Sequence, residues 1–135
     1  MEDPEDPFSD GLAILVVEDD AALRDSVHDY MVMDGYAVES VATLEDATTA
    51  LEERKPAVLI LDLMLADERA EPLLAKLQAR GNEAPVTVLV SAALDAREIA
   101  KRYNVPLLPK PVDLEDLSQL VAELCARRSS VPVAV

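Results

Sequence analysis

The chain has 135 residues, of which 50% are hydrophobic and 29% charged, a size and composition that favour one folded domain over a disordered chain. Twelve Lys and Arg residues against 27 Asp and Glu residues give a net charge of −15, which repels nucleic acid and anionic membrane surfaces. We therefore expect neither a nucleic-acid nor a membrane partner. One Cys and no long apolar stretch favour a cytoplasmic protein without disulfides or spanning helices.

The two ends of the chain differ in composition from its centre. Residues 1–10 combine acidic side chains with prolines, which predicts an acidic disordered tail. We expect a single folded domain at residues 11–128. Residues 129–135 are too few for another element and are predicted to form a flexible C-terminal tail.

Five short runs rich in Val, Ile and Leu alternate with longer segments of helical spacing, the rhythm of an α/β fold. The predicted strands are Ala13–Val17, Ala37–Val41, Val58–Leu61, 86–90 and a weaker one at 105–108. The first, third and fourth runs are almost wholly apolar, which is typical of central strands in a parallel sheet. The second run contains polar residues and is predicted to be an edge strand.

Capping residues predict where the intervening helices begin and end. Asp20 precedes a segment in which Leu23, Val27 and Met31 recur every four residues, and Gly35 follows it at a position suited to a positive φ. Thr43 and Asp113 resemble N-caps, each with an Asp three residues later. The other predicted helices are Leu44–Glu53, Glu71–Arg80, 95–103 and 114–127.

Polar side chains follow four of the predicted strands, at the point where each strand ends. They are Glu18 and Asp19, Asp62, Ser91, and Lys110. Because the carboxyl ends of parallel strands meet at one edge of a sheet, where ligands bind in open α/β folds, we expect these residues to converge.

The converging set has the composition of a magnesium site. Three carboxylates and one ammonium group give a formal charge of −3 + 1 = −2, and Mg²⁺ supplies the compensating charge through the oxygen ligands that it prefers. A carboxylate beside such a metal can act as a nucleophile towards phosphorus. Asp62 is the best candidate for this nucleophile, and Ser91 is expected to donate a hydrogen bond to a phosphoryl oxygen.

These residues lie in motifs that resemble the receiver domains of two-component response regulators. The motifs are Ile14-Leu15-Val16-Val17-Glu18-Asp19-Asp20, Leu61-Asp62-Leu63-Met64-Leu65, Ser91-Ala92 and Lys110-Pro111, and the resemblance covers residues 12–126. It implies a flavodoxin-like (βα)5 fold, with a doubly wound parallel five-stranded sheet in the order 2-1-3-4-5. It also implies a cis peptide between Lys110 and Pro111.

The resemblance further implies a function and a ligand set. A histidine kinase or phosphotransfer protein would phosphorylate Asp62, and Lys110 would contact the phosphoryl group. Mg²⁺ would be bound by Glu18, Asp19, Asp62 and the backbone carbonyl of Met64. Such a switch regulates a downstream target protein, catalyses only its own phosphorylation and dephosphorylation, and is expected to be a monomer or weak dimer.

The sequence also departs from the family pattern at three positions. Ala66 and Ala70 stand where the family usually has Pro and Gly, which predicts a differently built loop after Asp62. Leu107 replaces an aromatic residue that normally turns inward on phosphorylation. The hydrophobic Met64 and the small Ala93 flank the expected phosphoryl position, and we expect both to influence the access of water to it.

Alternative functions remain open at this stage. The first is a phosphoacceptor switch, either a stand-alone domain that acts on a separate protein or the receiver of a larger protein. The second is a degenerate receiver that serves as a phosphorylation-independent interaction module, an alternative favoured by the three departures. A phosphatase or nucleotide-binding enzyme is weaker, because the sequence has no glycine-rich phosphate loop and no carboxylate two residues after Asp62.

Overall fold

The computed structural model describes residues 13–129, where helices cover both faces of a parallel sheet. The predicted tail at residues 1–10 lies outside this range. The strands and helices up to the third strand are β1 (Ala13–Val17), α1 (Ala21–Met33), β2 (Ala37–Val41), α2 (Leu44–Glu53) and β3 (Val58–Leu61). They are followed by β4 (Met64–Leu65), β5 (Glu68–Arg69), α3 (Glu71–Arg80), β6 (Val86–Ser91), α4 (Ala96–Tyr103), β7 (Leu107–Pro109) and α5 (Leu114–Ser129).

The main sheet has the strand order β2-β1-β3-β6-β7, and all of its neighbouring strands are parallel. This confirms the predicted flavodoxin-like order, 2-1-3-4-5 when only these five strands are counted. The chain winds in opposite directions from β1 and from β3, so the switch point lies between these two strands. β2 lies at an edge, as its polar residues predict.

Two aliphatic cores lie on opposite faces of the sheet. Leu15 and Leu59 belong to the core under α2, α3 and α4, whereas Ile14 and Ile60 belong to the core under α1 and α5. This alternation follows from the period of two along each strand. Cys125 of α5 is buried in the second core.

The predicted caps are confirmed. Asp20 accepts hydrogen bonds from the backbone N–H groups of Ala22 and Leu23, Thr43 accepts one from Asp46, and Asp113 accepts two from Glu115 and Asp116. Gly35 has a φ of 101°. α5 runs to Ser129, two residues beyond the predicted end at residue 127 and into the predicted C-terminal tail; residues 130–135 lie outside the described range.

Two segments differ from the predicted strands. β7 begins at Leu107 rather than at residue 105, because the N–H of Val105 bonds to the Ala100 carbonyl and closes α4, and Pro106 has no N–H to donate to the ladder. The antiparallel hairpin of β4 and β5 is absent from the prediction. In the part of the chain that the structure describes, no helix combines the length and hydropathy needed to cross a bilayer.

Candidate functional site

The polar residues that follow the strands lie together at the carboxyl edge of the sheet. Backbone bonds extend the ladder past the strand ends: the N–H of Glu18 donates to Val41 at 3.1 Å, and the N–H of Asp62 donates to Val17 at 3.1 Å. The N–H of Lys110 donates in the same way to the Ser91 carbonyl at 3.1 Å. The sheet therefore fixes the main chain at each of these positions.

Lys110 joins two buried carboxylates. Its Nζ lies 2.9 Å from Oε1 of Glu18 and 2.8 Å from Oδ2 of Asp62. Glu18 is 4% exposed and Asp62 is 5% exposed, so water compensates little of their negative charge. One ammonium group therefore offsets only part of the charge of two carboxylates that repel each other.

Opposing influences act on the protonation of Glu18 and of Lys110. Burial raises the pKa of the Glu18 carboxyl and the charge of Asp62 adds to this effect, against the hydrogen bonds from Lys110 and the N–H of Asp20. Burial alone lowers the pKa of the Lys110 ammonium, but its hydrogen bonds to Asp62 and Glu18 outweigh burial and raise that pKa. Lys110 is therefore held in its charged form.

Asp19 is the exposed carboxylate of the group and anchors the hairpin. Its Oδ2 accepts a hydrogen bond from the N–H of Ala66 at 2.8 Å. Partial burial opposes ionisation of Asp19, but the Ala66 bond and the charge of Lys110 help to outweigh burial and lower the Asp19 pKa. Ala66 has a φ of 54°, a value that proline cannot adopt, so the predicted difference in this loop has a backbone cause.

Ala70, the other departure in this loop, needs no glycine. It has a φ of −87° and a ψ of 0°, and a negative φ does not require glycine. Its side chain is fully buried, and its N–H donates to the Leu63 carbonyl at 2.7 Å.

Met64 follows Asp62 by two residues and opens the hairpin. Its N–H donates to Oδ1 of Asp62 at 3.1 Å. Leu65 pairs with Glu68 across a two-residue turn, and Met64 pairs with Arg69. Residues that flank such a turn exchange backbone hydrogen bonds and the next pair does not. This register therefore does not use the Met64 carbonyl in the hydrogen bonds between the two strands of the hairpin.

Ser91 ends β6, the strand next to β3, which Asp62 follows. It is 2% exposed, and its Oγ accepts a hydrogen bond from the N–H of Ala93 at 3.0 Å. The hydroxyl hydrogen is not used by that bond and remains available as a donor. Leu107 is half-buried at the start of β7 and packs against the core under α4.

Three residues of the site neighbourhood were not predicted from the sequence. Arg24 donates through Nη1 to the main-chain carbonyls of Glu18 at 3.0 Å and Asp19 at 3.4 Å. Arg69, in the hairpin, forms an ion pair with Asp95 at 2.8 Å. Charged residues on helices and turns are typical of solvated surfaces, so no pattern in the sequence distinguished these three.

The donor set fits a hard divalent cation. Glu18, Asp19 and Asp62 each present a carboxylate oxygen within 4.8 Å of the others, and a cation that prefers oxygen ligands matches this charge and chemistry. His28 plays no part in this cluster, because its Nδ1 is hydrogen-bonded to Oγ of Ser40.

The sequence matches the family described as response regulator receiver domain over residues 14–122. Response regulator MprA from Mycobacterium sp. strain KMS is 32% identical, over 86% of this chain and 51% of the relative. The MprA protein of Mycobacterium avium strain 104 is also 32% identical, over 86% of this chain and 52% of the relative. The chain therefore spans about half the length of these curated relatives.

Solved structures are similar over most of the chain. A response regulator receiver protein from Pseudomonas putida has 28% identity and a TM-score of 0.76, covering 85% of this chain and 98% of that one. A CheY-like receiver domain protein from Methanospirillum hungatei JF-1, at 23% identity and a TM-score of 0.80 over 90% of this chain and 98% of that one, supports the fold alone. From the family match, the strand order and the acidic cluster together, we conclude that the chain belongs to the response regulator receiver domains.

Proposed function

We propose that this chain is a phosphoacceptor receiver of a two-component phosphorelay, with Asp62 as the residue that is phosphorylated. The observation that supports this most directly is the position of the Asp62 carboxylate: it is buried at the carboxyl edge of β3, 2.8 Å from the Lys110 ammonium and beside Glu18 and Asp19. The phosphoryl donor is a histidine kinase or a phosphotransfer protein. The product regulates a partner protein.

The chemistry is a transfer between two nucleophiles. An oxygen of Asp62 forms a bond to phosphorus while the bond between phosphorus and the donor's imidazole nitrogen breaks, and the electron pair of that bond leaves with the imidazole. Lys110 exchanges part of its contact with Asp62 for a phosphoryl oxygen. Ser91 donates its free hydroxyl hydrogen to a second phosphoryl oxygen.

Mg²⁺ is the cofactor of this proposal. Glu18, Asp19, Asp62 and the Met64 carbonyl would hold the ion, which offsets negative charge on the phosphoryl oxygens when bound. The hairpin register, which does not use the Met64 carbonyl, and the proximity of the three carboxylates support this ligand set. The Ala66 bond to Asp19 is compatible with it, because a carboxylate has a second oxygen to offer.

The switch acts through local changes of charge and contact. Leu107 has no ring that turns inward, so the response to phosphorylation depends on the loops that follow Asp62 and Ser91. The chain turns over no separate substrate in this proposal. Its location in the cytoplasm, its state as a monomer or weak dimer and its action on a separate protein stay predictions.

A second candidate is an interaction module that works without phosphate. The positive φ of Ala66 favours it, because the loop after Asp62 is built differently from the family pattern. In that case Asp62→Asn leaves the biological output intact. In the phosphoacceptor proposal the same substitution abolishes the response.

The proposed function is tested by intact mass spectrometry after incubation with phosphoramidate and Mg²⁺. We expect one phosphoryl adduct on the wild type, none on Asp62→Asn, and none on the wild type when EDTA replaces Mg²⁺. Asp67→Asn is a matched control, since Asp67 is an exposed carboxylate of the same loop. An equal adduct on Asp62→Asn, or no adduct on folded wild type, contradicts the proposal.

A further inference from the structure

Arg69, in the second strand of the hairpin that follows Asp62, forms an ion pair with Asp95 in the loop that follows Ser91. It is half-exposed on the surface and has three partners there. None of them belongs to the acidic cluster.

The first partner is Met64. The two residues face each other across the hairpin as a pair without mutual backbone bonds, the kind of pair whose side chains approach most closely. Nη1 of Arg69 lies 3.6 Å from Sδ of Met64. Arg69 therefore contacts the side chain of a residue whose own backbone N–H binds Oδ1 of Asp62 at 3.1 Å.

The second partner is Asp95, in the loop after Ser91. Nη2 of Arg69 lies 2.8 Å from Oδ2 of Asp95. Asp95 occupies the N-cap position of α4, yet its side chain caps no N–H of that helix. Its carboxylate instead binds Arg69, which joins the loop of Asp62 to the loop of Ser91.

The third partner is Glu71, whose Oε1 lies 3.9 Å from Nη2 of Arg69. Glu71 also binds Arg102 of α4 at 2.6 Å. Arg102 therefore shares a partner with Arg69 but has neither Met64 nor Asp95 among its ion pairs and hydrogen bonds. This difference makes Arg102 a matched control.

We propose that Arg69 is a positioning residue that holds Met64 beside the phosphorylated Asp62 and limits the access of water to the phosphoryl group. The proposal rests on the proposed function. In the hydrolysis that it slows, a water oxygen bonds to phosphorus and the bond between phosphorus and the Asp62 oxygen breaks. The electron pair returns to the carboxylate. One proton of the water stays on the oxygen now bound to phosphorus, and the other passes to a phosphate oxygen or to solvent.

This role differs from a contribution to stability. Ion pairs between exposed side chains contribute little to the free energy of unfolding, and both members of the Arg69 pair are about half-exposed. Loss of the pair therefore leaves the thermal midpoint close to that of the wild type. The lifetime of the phosphoryl group changes instead.

The first experiment measures the decay of the phosphoryl adduct after removal of the donor. Arg69→Ala and Asp95→Ala are each expected to shorten the lifetime at least about threefold, and Arg102→Ala is expected to stay within about 1.5-fold of the wild type. The phosphoryl adduct of the double variant, Arg69→Ala with Asp95→Ala, is expected to decay no faster than that of Arg69→Ala, because both residues act through one contact. Arg69→Lys recovers part of the lifetime, since a lysine keeps the charge but cannot bridge two partners as a guanidinium does.

Lifetimes of Arg69→Ala and Arg102→Ala that agree with the wild type overturn this inference while the proposed function stands. A wild type that accepts no phosphoryl group overturns both. Amide hydrogen exchange of the unphosphorylated protein tests the link itself. Arg69→Ala should accelerate exchange in residues 63–70 and in residues 92–95, and acceleration in the first segment alone overturns the link between the loops.

Discussion

The Nζ of Lys110 lies 2.8 Å from Oδ2 of Asp62, although 48 residues separate the two in sequence. The same ammonium group lies 2.9 Å from Glu18. Two buried carboxylates therefore depend on one cation for compensation, and any change in that cation alters both the stability of the domain and the charge at the site.

Replacing Lys110 with Ala should destabilise the protein by about 1–3 kcal/mol, because it leaves Glu18 and Asp62 buried without a cation. Urea unfolding without Mg²⁺ measures the loss. Lys101→Ala is the control, since Lys101 is exposed on α4. Equal stability of the two variants contradicts the electrostatic account.

Replacing Glu18 with Gln should stabilise the metal-free protein at neutral pH. Burial raises the pKa of Glu18, so the folded state binds this proton more tightly than the unfolded state does. The wild type therefore loses stability as the pH rises through the interval between the ordinary pKa of 4.5 and the raised one. In urea unfolding at a series of pH values, the extra stability of Glu18→Gln over the wild type should grow across that interval and then level off. A difference in stability that shrinks with rising pH contradicts a raised pKa of Glu18.

The main sheet and the meeting of the site residues could be predicted because they depend on local signals. Apolar runs define the strands, caps such as Asp20 and Thr43 define the helix starts, and the topology of a parallel sheet brings the strand ends together. The implied cis peptide between Lys110 and Pro111 is likewise confirmed.

The hairpin could not be predicted, because its geometry depends on a distant partner. Ala66 has a positive φ, and its N–H binds Asp19, 47 residues away in sequence. Propensity gives no reason for an alanine to adopt this conformation. The Arg69 and Asp95 pair was missed for the same reason, since it spans 26 residues between two surface loops.

Restoring the residue that the family usually has at position 66 should destabilise this protein. In Ala66→Pro the fixed φ of proline is incompatible with the observed 54°, and the N–H that binds Asp19 is lost. Together these changes should cost about 2–4 kcal/mol. Ala66→Gly should be neutral or stabilising by up to about 1 kcal/mol. Denaturant unfolding of both variants tests this, and a proline variant as stable as the wild type contradicts the described backbone.

Millimolar Mg²⁺ should raise the thermal midpoint, because the ion relieves repulsion in the folded state. Binding at tenfold the dissociation constant adds about 1.4 kcal/mol. Asp19→Asn removes one carboxylate of the cluster and should reduce the effect, whereas the distant Asp46→Asn should not. A midpoint indifferent to Mg²⁺ in the wild type argues against an intact metal site.

The identity of the phosphorylated residue tests the account most directly. After phosphorylation of the wild type, borohydride reduction converts an aspartyl phosphate into homoserine, and mass spectrometry of the peptides locates it. The account predicts homoserine at position 62 and nowhere else. Reduction at Asp19 or Glu18 instead, or a modified protein with Asp62 unchanged, would contradict it.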